Sequence, residues 1–125
     1  MIEPFGWTVE PSAVSRVAEI LRDPNPIHLD GDAARAAGLA GPINQGPANL
    51  AYAVNMVQAA FPGARLLTIE SRYLANVLVG DRVTVEGSVV SQDGQVVTCA
   101  FRVINGAGQD AVTGTATLLL ENESS

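Results

Sequence analysis

Pro47-Ala-Asn-Leu-Ala-Tyr-Ala-Val-Asn-Met-Val-Gln-Ala-Ala-Phe61 decides the fold. The stretch is long enough for a helix, and Pro62-Gly63 ends it. Leu50, Ala53, Val54 and Val57 mark one face, but Ala51, Met56, Ala59 and Ala60 make the rest apolar too. A helix that is apolar nearly all round is a buried helix. In a chain of 125 residues it needs something wrapped around it.

The second half of the chain supplies the wrapping. Arg65–Ala75, Asp81–Ser91, Gln95–Asn105 and Gln109–Leu120 each read as strands. Val83/Val85/Val89, Val97/Cys99/Phe101/Val103 and Ala116/Leu118/Leu120 alternate as one face of a sheet requires. Asp93-Gly94 is a two-residue hairpin signal, and Asn105-Gly-Ala-Gly108 is a looser turn. These four strands are expected to be joined as antiparallel neighbours. Upstream, Pro11 opens a helix whose apolar face is Val14, Val17, Ala18 and Leu21, and Pro24 and Pro26 force it to stop by Asp23. Asp30–Gly38 reads as a short helix begun by an acidic residue and closed by glycine. With a first strand around Phe5–Val9, the expectation is one α+β domain over residues 1–125. It has an antiparallel sheet curled over the helix and a frayed tail at Glu121–Ser125.

Composition narrows the function. Apolar content of 47% with 16% charge argues against disorder. A net charge of −6 leaves no surplus of cations for nucleic-acid phosphates. No apolar run spans a bilayer and the N-terminus lacks the features of a signal peptide, so a cytoplasmic protein is expected. The lone Cys99 sits in an apolar strand and reads as core. All seven basic residues are arginine, so side-chain contacts to a substrate phosphate fall to that set. Arg65, Arg72 and Arg102 are candidates, although a solvated strand face also suits each of them.

Asp23-Pro-Asn-Pro-Ile-His28 stands apart from the scaffold. It places a carboxylate, an amide and the only histidine on a segment stiffened by two prolines. Histidine exchanges protons near neutral pH, and a neighbouring carboxylate can orient it or share the work. Together they could polarise one water. The residues alone also permit a plainer reading, in which the Asx-Pro pairs form turns and Asp23 caps a helix end. One histidine with scattered carboxylates is a poor metal-ligand set.

Asp23, Asn25, Pro26 and His28 resemble the Gly-Asp-x-Asn-Pro-x-His motif of the MaoC-like hydratase/dehydratase family, which includes (R)-specific enoyl-CoA hydratases. Gly41-Pro42-Ile43, leading to Gly46, is similar to that family's Pro-Ile-Val-His-Gly run. Arg72-Tyr73-Leu74 and Val79-Gly80-Asp81-Arg82-Val83 resemble its later strand pair, so the likeness extends from about Val14 to Leu120. Arg22 replaces the motif's glycine, and Gln45 stands where the family has histidine. The resemblance implies a hotdog fold, in which a five-stranded curved sheet wraps a central helix. It implies a hydro-lyase acting on a 2-enoyl or 3-hydroxyacyl thioester of coenzyme A or an acyl carrier protein. No cofactor is implied beyond the coenzyme A or phosphopantetheine that belongs to the substrate, and the protein is expected as a homodimer. Asp23 and His28 would hold the water, and the Gly46 N–H would face the thioester oxygen. Asn25, Gln45, Arg22 and Arg72 would contact or support the substrate. A tailoring dehydratase acting on a carrier-bound polyketide, or a non-catalytic hotdog subunit, remains open beside that reading. A thioesterase with a carboxylate on the central helix does not fit, since Pro47–Phe61 holds no Asp or Glu.

Overall fold

In the computed structural model residues 2–21 and 25–121 are described. They form β1 (Ile2–Thr8), α1 (Pro11–Leu21), a 3-10 turn (Pro26–His28), α2 (Gly31–Ala36) and α3 (Gly46–Ala60). The strands β2 (Arg65–Tyr73), β3 (Arg82–Asp93), β4 (Val96–Ile104) and β5 (Asp110–Leu119) follow. The alternation holds where it matters: Val83, Val85, Val97, Cys99, Phe101, Val103, Ala116 and Leu118 are all buried. Val89 is the exception at 43% exposed, beside a register shift between Val89 and Ser91. The β3–β4 hairpin turns at Gly94–Gln95, one residue later than expected, with Gly94 at φ +60°. No described helix is long and apolar enough to cross a membrane.

The hotdog arrangement is present as one antiparallel sheet of order β1-β3-β4-β5-β2 laid over α3. Two expectations need correction. Only β3, β4 and β5 follow one another as neighbours, whereas β2 pairs with β5 and lies at an edge. The link between β2 and β3 must therefore cross the sheet. It is fixed on the way by Asn44 N–H to Val77 O, by Val79 N–H to Pro42 O, and by Leu78 N–H to the Asp81 carboxylate. Secondly, α3 is not enclosed on all sides. Asn49, Ala53, Met56 and Val57 are buried towards the sheet, while Ala51, Asn55, Gln58 and Ala59 stay exposed. A single sheet can cover only one face of a helix, and α1 stands far enough off to leave a groove.

The close approach of α3 to the sheet depends on Gly87 of β3. A Cβ placed there would lie 2.6 Å from Met56 Cε and 2.9 Å from the Ala100 carbonyl oxygen. Glycine leaves that space to the methionine, which is 1% exposed. This contact fixes the C-terminal half of α3 against the sheet, and the candidate site is built around the other end of the helix.

Candidate active site

His28 is delivered by a short, locally specified device. The Asn25 side-chain oxygen accepts the Ile27 N–H at 3.2 Å, and the Asn25 carbonyl accepts the His28 N–H at 3.2 Å. This Asx-type turn starts the 3-10 element and points the imidazole inward, where it is 8% exposed. On the far side of the turn, Asp30 caps α2 by accepting the Asp32 and Ala33 N–H groups. The His28 segment is thus held at both ends.

The ring meets the strand-like segment that runs into α3. His28 Nδ1 lies 2.8 Å from the Ile43 carbonyl oxygen, and the Ile43 N–H donates to the Ile27 carbonyl at 3.0 Å. A carbonyl can only accept, so Nδ1 carries the proton and Nε2 is the basic nitrogen of the neutral ring. Ile43 also forms a bridge with Leu78, so the chain at 42–44 is fixed between the histidine turn and the β2–β3 link. Three residues further on, Gly46 opens α3. First-turn N–H groups have no carbonyl partner inside a helix, and the helix dipole makes that end positive. Pro47 has no N–H and Asn49 donates to the Gln45 carbonyl, which leaves Gly46 and Ala48 as the first-turn donors. A Cβ on Gly46 would sit 3.4 Å from the Tyr73 ring, so glycine keeps a narrow slot between that ring and the helix end.

Of the residues singled out from the sequence, the structure therefore brings His28 and Gly46 to the two ends of one rigid strut, with Asn25 supporting the former. Asp23 and Arg22 lie outside the described residues. Gln45 points away into the protein. It is 1% exposed, its side-chain amide donates to the Val14 carbonyl of α1 at 3.0 Å, and its Oε1 has no hydrogen-bond partner among the described residues. Arg72 is exposed on edge strand β2, opposite Thr113, and strand alternation turns it to the other face from Tyr73. Arg102 is engaged by Glu86 at 2.7 Å and Asp110 at 3.4 Å on the outer face of the sheet.

Sequence reasoning missed a buried polar cluster at the same helix end. Asn44, 4% exposed, donates both amide protons, one to Asn49 Oδ1 at 2.8 Å and one to the Tyr52 hydroxyl at 3.0 Å. Burial pushes the Tyr52 phenol above its ordinary range, and the bond from Asn44 offsets part of the rise. The signal was available, because Asn49 is a polar residue on the inward face of an otherwise apolar helix. Asn44 and Tyr52 also form part of the wall of a groove of about 250 Å³ between α1 and the open face of α3.

Residues 6–113 match the family model described as a MaoC like domain. Among solved structures, the (R)-hydratase from A. caviae involved in PHA biosynthesis superposes with a TM-score of 0.91 at 26% identity, covering 97% of this chain and 95% of that one. R-hydratase PhaJ1 from Pseudomonas aeruginosa gives 0.91 at 25% identity, covering 98% and 81%. A chain of the ChsH1-ChsH2 complex from Mycobacterium tuberculosis gives 0.87 at 23% identity, covering 96% and 94%, a likeness of fold alone. No curated protein matches the sequence.

Proposed function

The chain belongs to the MaoC-like hydratase/dehydratase family, and on that premise we propose that it hydrates a 2-enoyl thioester or dehydrates the corresponding 3-hydroxyacyl thioester. The acyl carrier is coenzyme A or an acyl carrier protein, and the working unit is a homodimer. The observation that carries the reading is the 2.8 Å contact between His28 Nδ1 and the Ile43 carbonyl, on the strut that ends at Gly46. It fixes the ring with a basic Nε2 and ties its position to that of an oxyanion donor. Proton transfer and charge stabilisation both depend on such preorganisation.

In the hydration direction, Asp23 and His28 hold one water, and one of them takes its proton as the oxygen bonds to C3. The C2=C3 electron pair shifts towards the thioester carbonyl. Its oxygen gains negative charge against the Gly46 N–H, at the positive end of α3. A proton is then delivered to C2, and the carbonyl reforms. Dehydration runs the same steps backwards. Only protons and water move, so the reaction calls on no group beyond the coenzyme A or phosphopantetheine of the substrate.

The test is turnover of a panel of 2-enoyl thioesters, on coenzyme A and on carrier protein, followed by loss of enoyl absorbance. Asp23→Asn and His28→Ala are each expected to lower kcat by about 10²–10⁴ with the fold intact. Combined, they should cost far less than the product of the two, since both act on one water. Near-normal kcat in either folded variant would move the chemistry elsewhere. A parent protein inert on every member would favour a non-catalytic acyl-binding subunit.

A further inference from the structure

Tyr73 closes one side of the Gly46 slot, and the hydroxyl end of its ring comes nearest. A Cβ on Gly46 would lie 3.4 Å from Cε1, 3.6 Å from Cζ and 3.8 Å from Cδ1 of that ring. The hydroxyl is one bond beyond Cζ and therefore stands close to Gly46. Backbone contacts set this placement. Tyr73 is the last residue of β2 and pairs with Val112, and the N–H of Leu74 donates to the Ala111 carbonyl at 2.8 Å. Strand alternation puts Tyr73 on the same face as Ile69, which packs against the core. Among the described residues the Tyr73 hydroxyl has no hydrogen-bond partner, so its proton is uncommitted.

A carbonyl oxygen has two lone pairs, and the charge it gains in the reaction calls for more than one fixed donor. On the side of α3 that faces Tyr73, the helix supplies one. Pro47 has no N–H, and the Asn49 N–H is held by the Gln45 carbonyl. Ala48 lies about 200° round the helix from Gly46 and lines the groove facing α1. We propose that the Tyr73 hydroxyl is the second donor to the thioester oxygen, alongside the Gly46 N–H. This rests on the hydratase reading above and adds a catalytic residue to it. The slot has the right size, because a Cβ on Gly46 would already meet the ring at van der Waals contact. The space between ring and helix end thus holds a single atom of about that size, as a carbonyl oxygen is. Tyr73 is 54% exposed in the single chain. A second copy lying along β2 would cover the phenol and remove the water that competes for its proton.

Tyr73→Phe removes the hydroxyl and keeps the ring over the slot. On 2-butenoyl-CoA its kcat should fall by about 10²-fold, as when one oxyanion donor is removed, while KM stays near that of the parent. A packing role alone predicts no such loss, since the phenylalanine ring fills the same space. The substrate carbonyl gives a second readout. Butanoyl-CoA labelled with carbon-13 at the thioester carbonyl has neither a 2-ene nor a 3-hydroxyl and cannot react. Bound to the parent, its C=O stretch should lie below that of the same thioester in water, and Tyr73→Phe should return it part of the way. One frequency shared by both proteins overturns the proposal, even where kcat falls. An unshifted carbonyl in the parent overturns it too, and that measurement decides the matter should Tyr73→Phe fail to fold. Turnover that is insensitive to Tyr73→Phe sinks this proposal and leaves the hydratase reading intact. A carbonyl polarised through Tyr73 in a protein that turns over no enoyl thioester does the reverse.

Discussion

Gln45 carries a buried amide whose two ends are treated unequally. Nε2 donates to the Val14 carbonyl and so links α1 to the start of α3, whereas Oε1 has no donor among the described residues. An orphaned buried acceptor costs about 1–3 kcal/mol, and a neutral hydrogen bond returns about 0.5–1.5 kcal/mol. The balance favours losing the amide. Gln45→Met keeps length and volume while removing both effects, and it should leave stability unchanged or raise it by up to about 2 kcal/mol in urea denaturation. A loss of more than about 2 kcal/mol would mean that the link to Val14 outweighs the orphan. The sequence could not reveal this geometry. Gln45 was legible as a departure from the family's histidine, but the direction of a side chain beside a turn depends on where α1 packs. His28 and Gly46 were legible because a motif with fixed spacing and a glycine before a helix each specify a local backbone. Of the Asn44–Asn49–Tyr52 cluster only Asn49 was legible, as a polar residue on an apolar face; its partners were not, since the members lie five and three residues apart across a turn–helix boundary.

Gly87 is where helix and sheet meet most closely, with Met56 and the Ala100 carbonyl both inside the reach of a Cβ. Gly87→Ala should push α3 outward, costing about 1–3 kcal/mol as overpacking does. Met56→Ala alone should cost about 2–5 kcal/mol through the cavity it leaves. The double variant is expected to be less destabilised than the sum of the two, because the smaller side chain vacates the space that the new methyl needs. Strict additivity in a thermal or urea double-mutant cycle would show that Met56 is not what limits this position. Element types were largely readable, since period-2 alternation and the Pro and Gly stops act locally. Strand order was not. That β2 pairs with β5 follows from the crossing of residues 74–81 beneath the histidine strut, and from hydrogen bonds such as Asn105 Nδ2 to the Asn76 carbonyl that hold it there. Those contacts join residues far apart in sequence. The open face of α3 was misread for a related reason. Apolar residues on all sides say that a helix will be covered, but not that one sheet and one short helix leave part of it bare.

At the scale of the molecule, the order β1-β3-β4-β5-β2 leaves two sheet edges, and they differ in character. Edge β2 and its exit expose Leu67 at 45%, Tyr73 at 54% and Leu74 at 58%. Unpaired backbone groups beside exposed apolar side chains form a template for another strand. Tyr73 also stands over Gly46, so whatever covers this edge closes the slot at the proposed oxyanion donor. A two-fold partner joined edge to edge would pair β2 with its own copy, as an isologous contact requires. The protein is therefore expected to sediment as a dimer. Leu67→Lys, a charge on the edge strand, should produce a monomer with unchanged circular dichroism and much reduced turnover. Val90→Lys serves as the control, because Val90 is 57% exposed but lies on β3, three strands away from the β2 edge. It should leave both the dimer and the activity near those of the parent. A parent that sediments as a folded monomer, or a Leu67→Lys variant that stays dimeric, would rule out this edge as the interface. The Gly46 slot would then have to be completed by the chain itself.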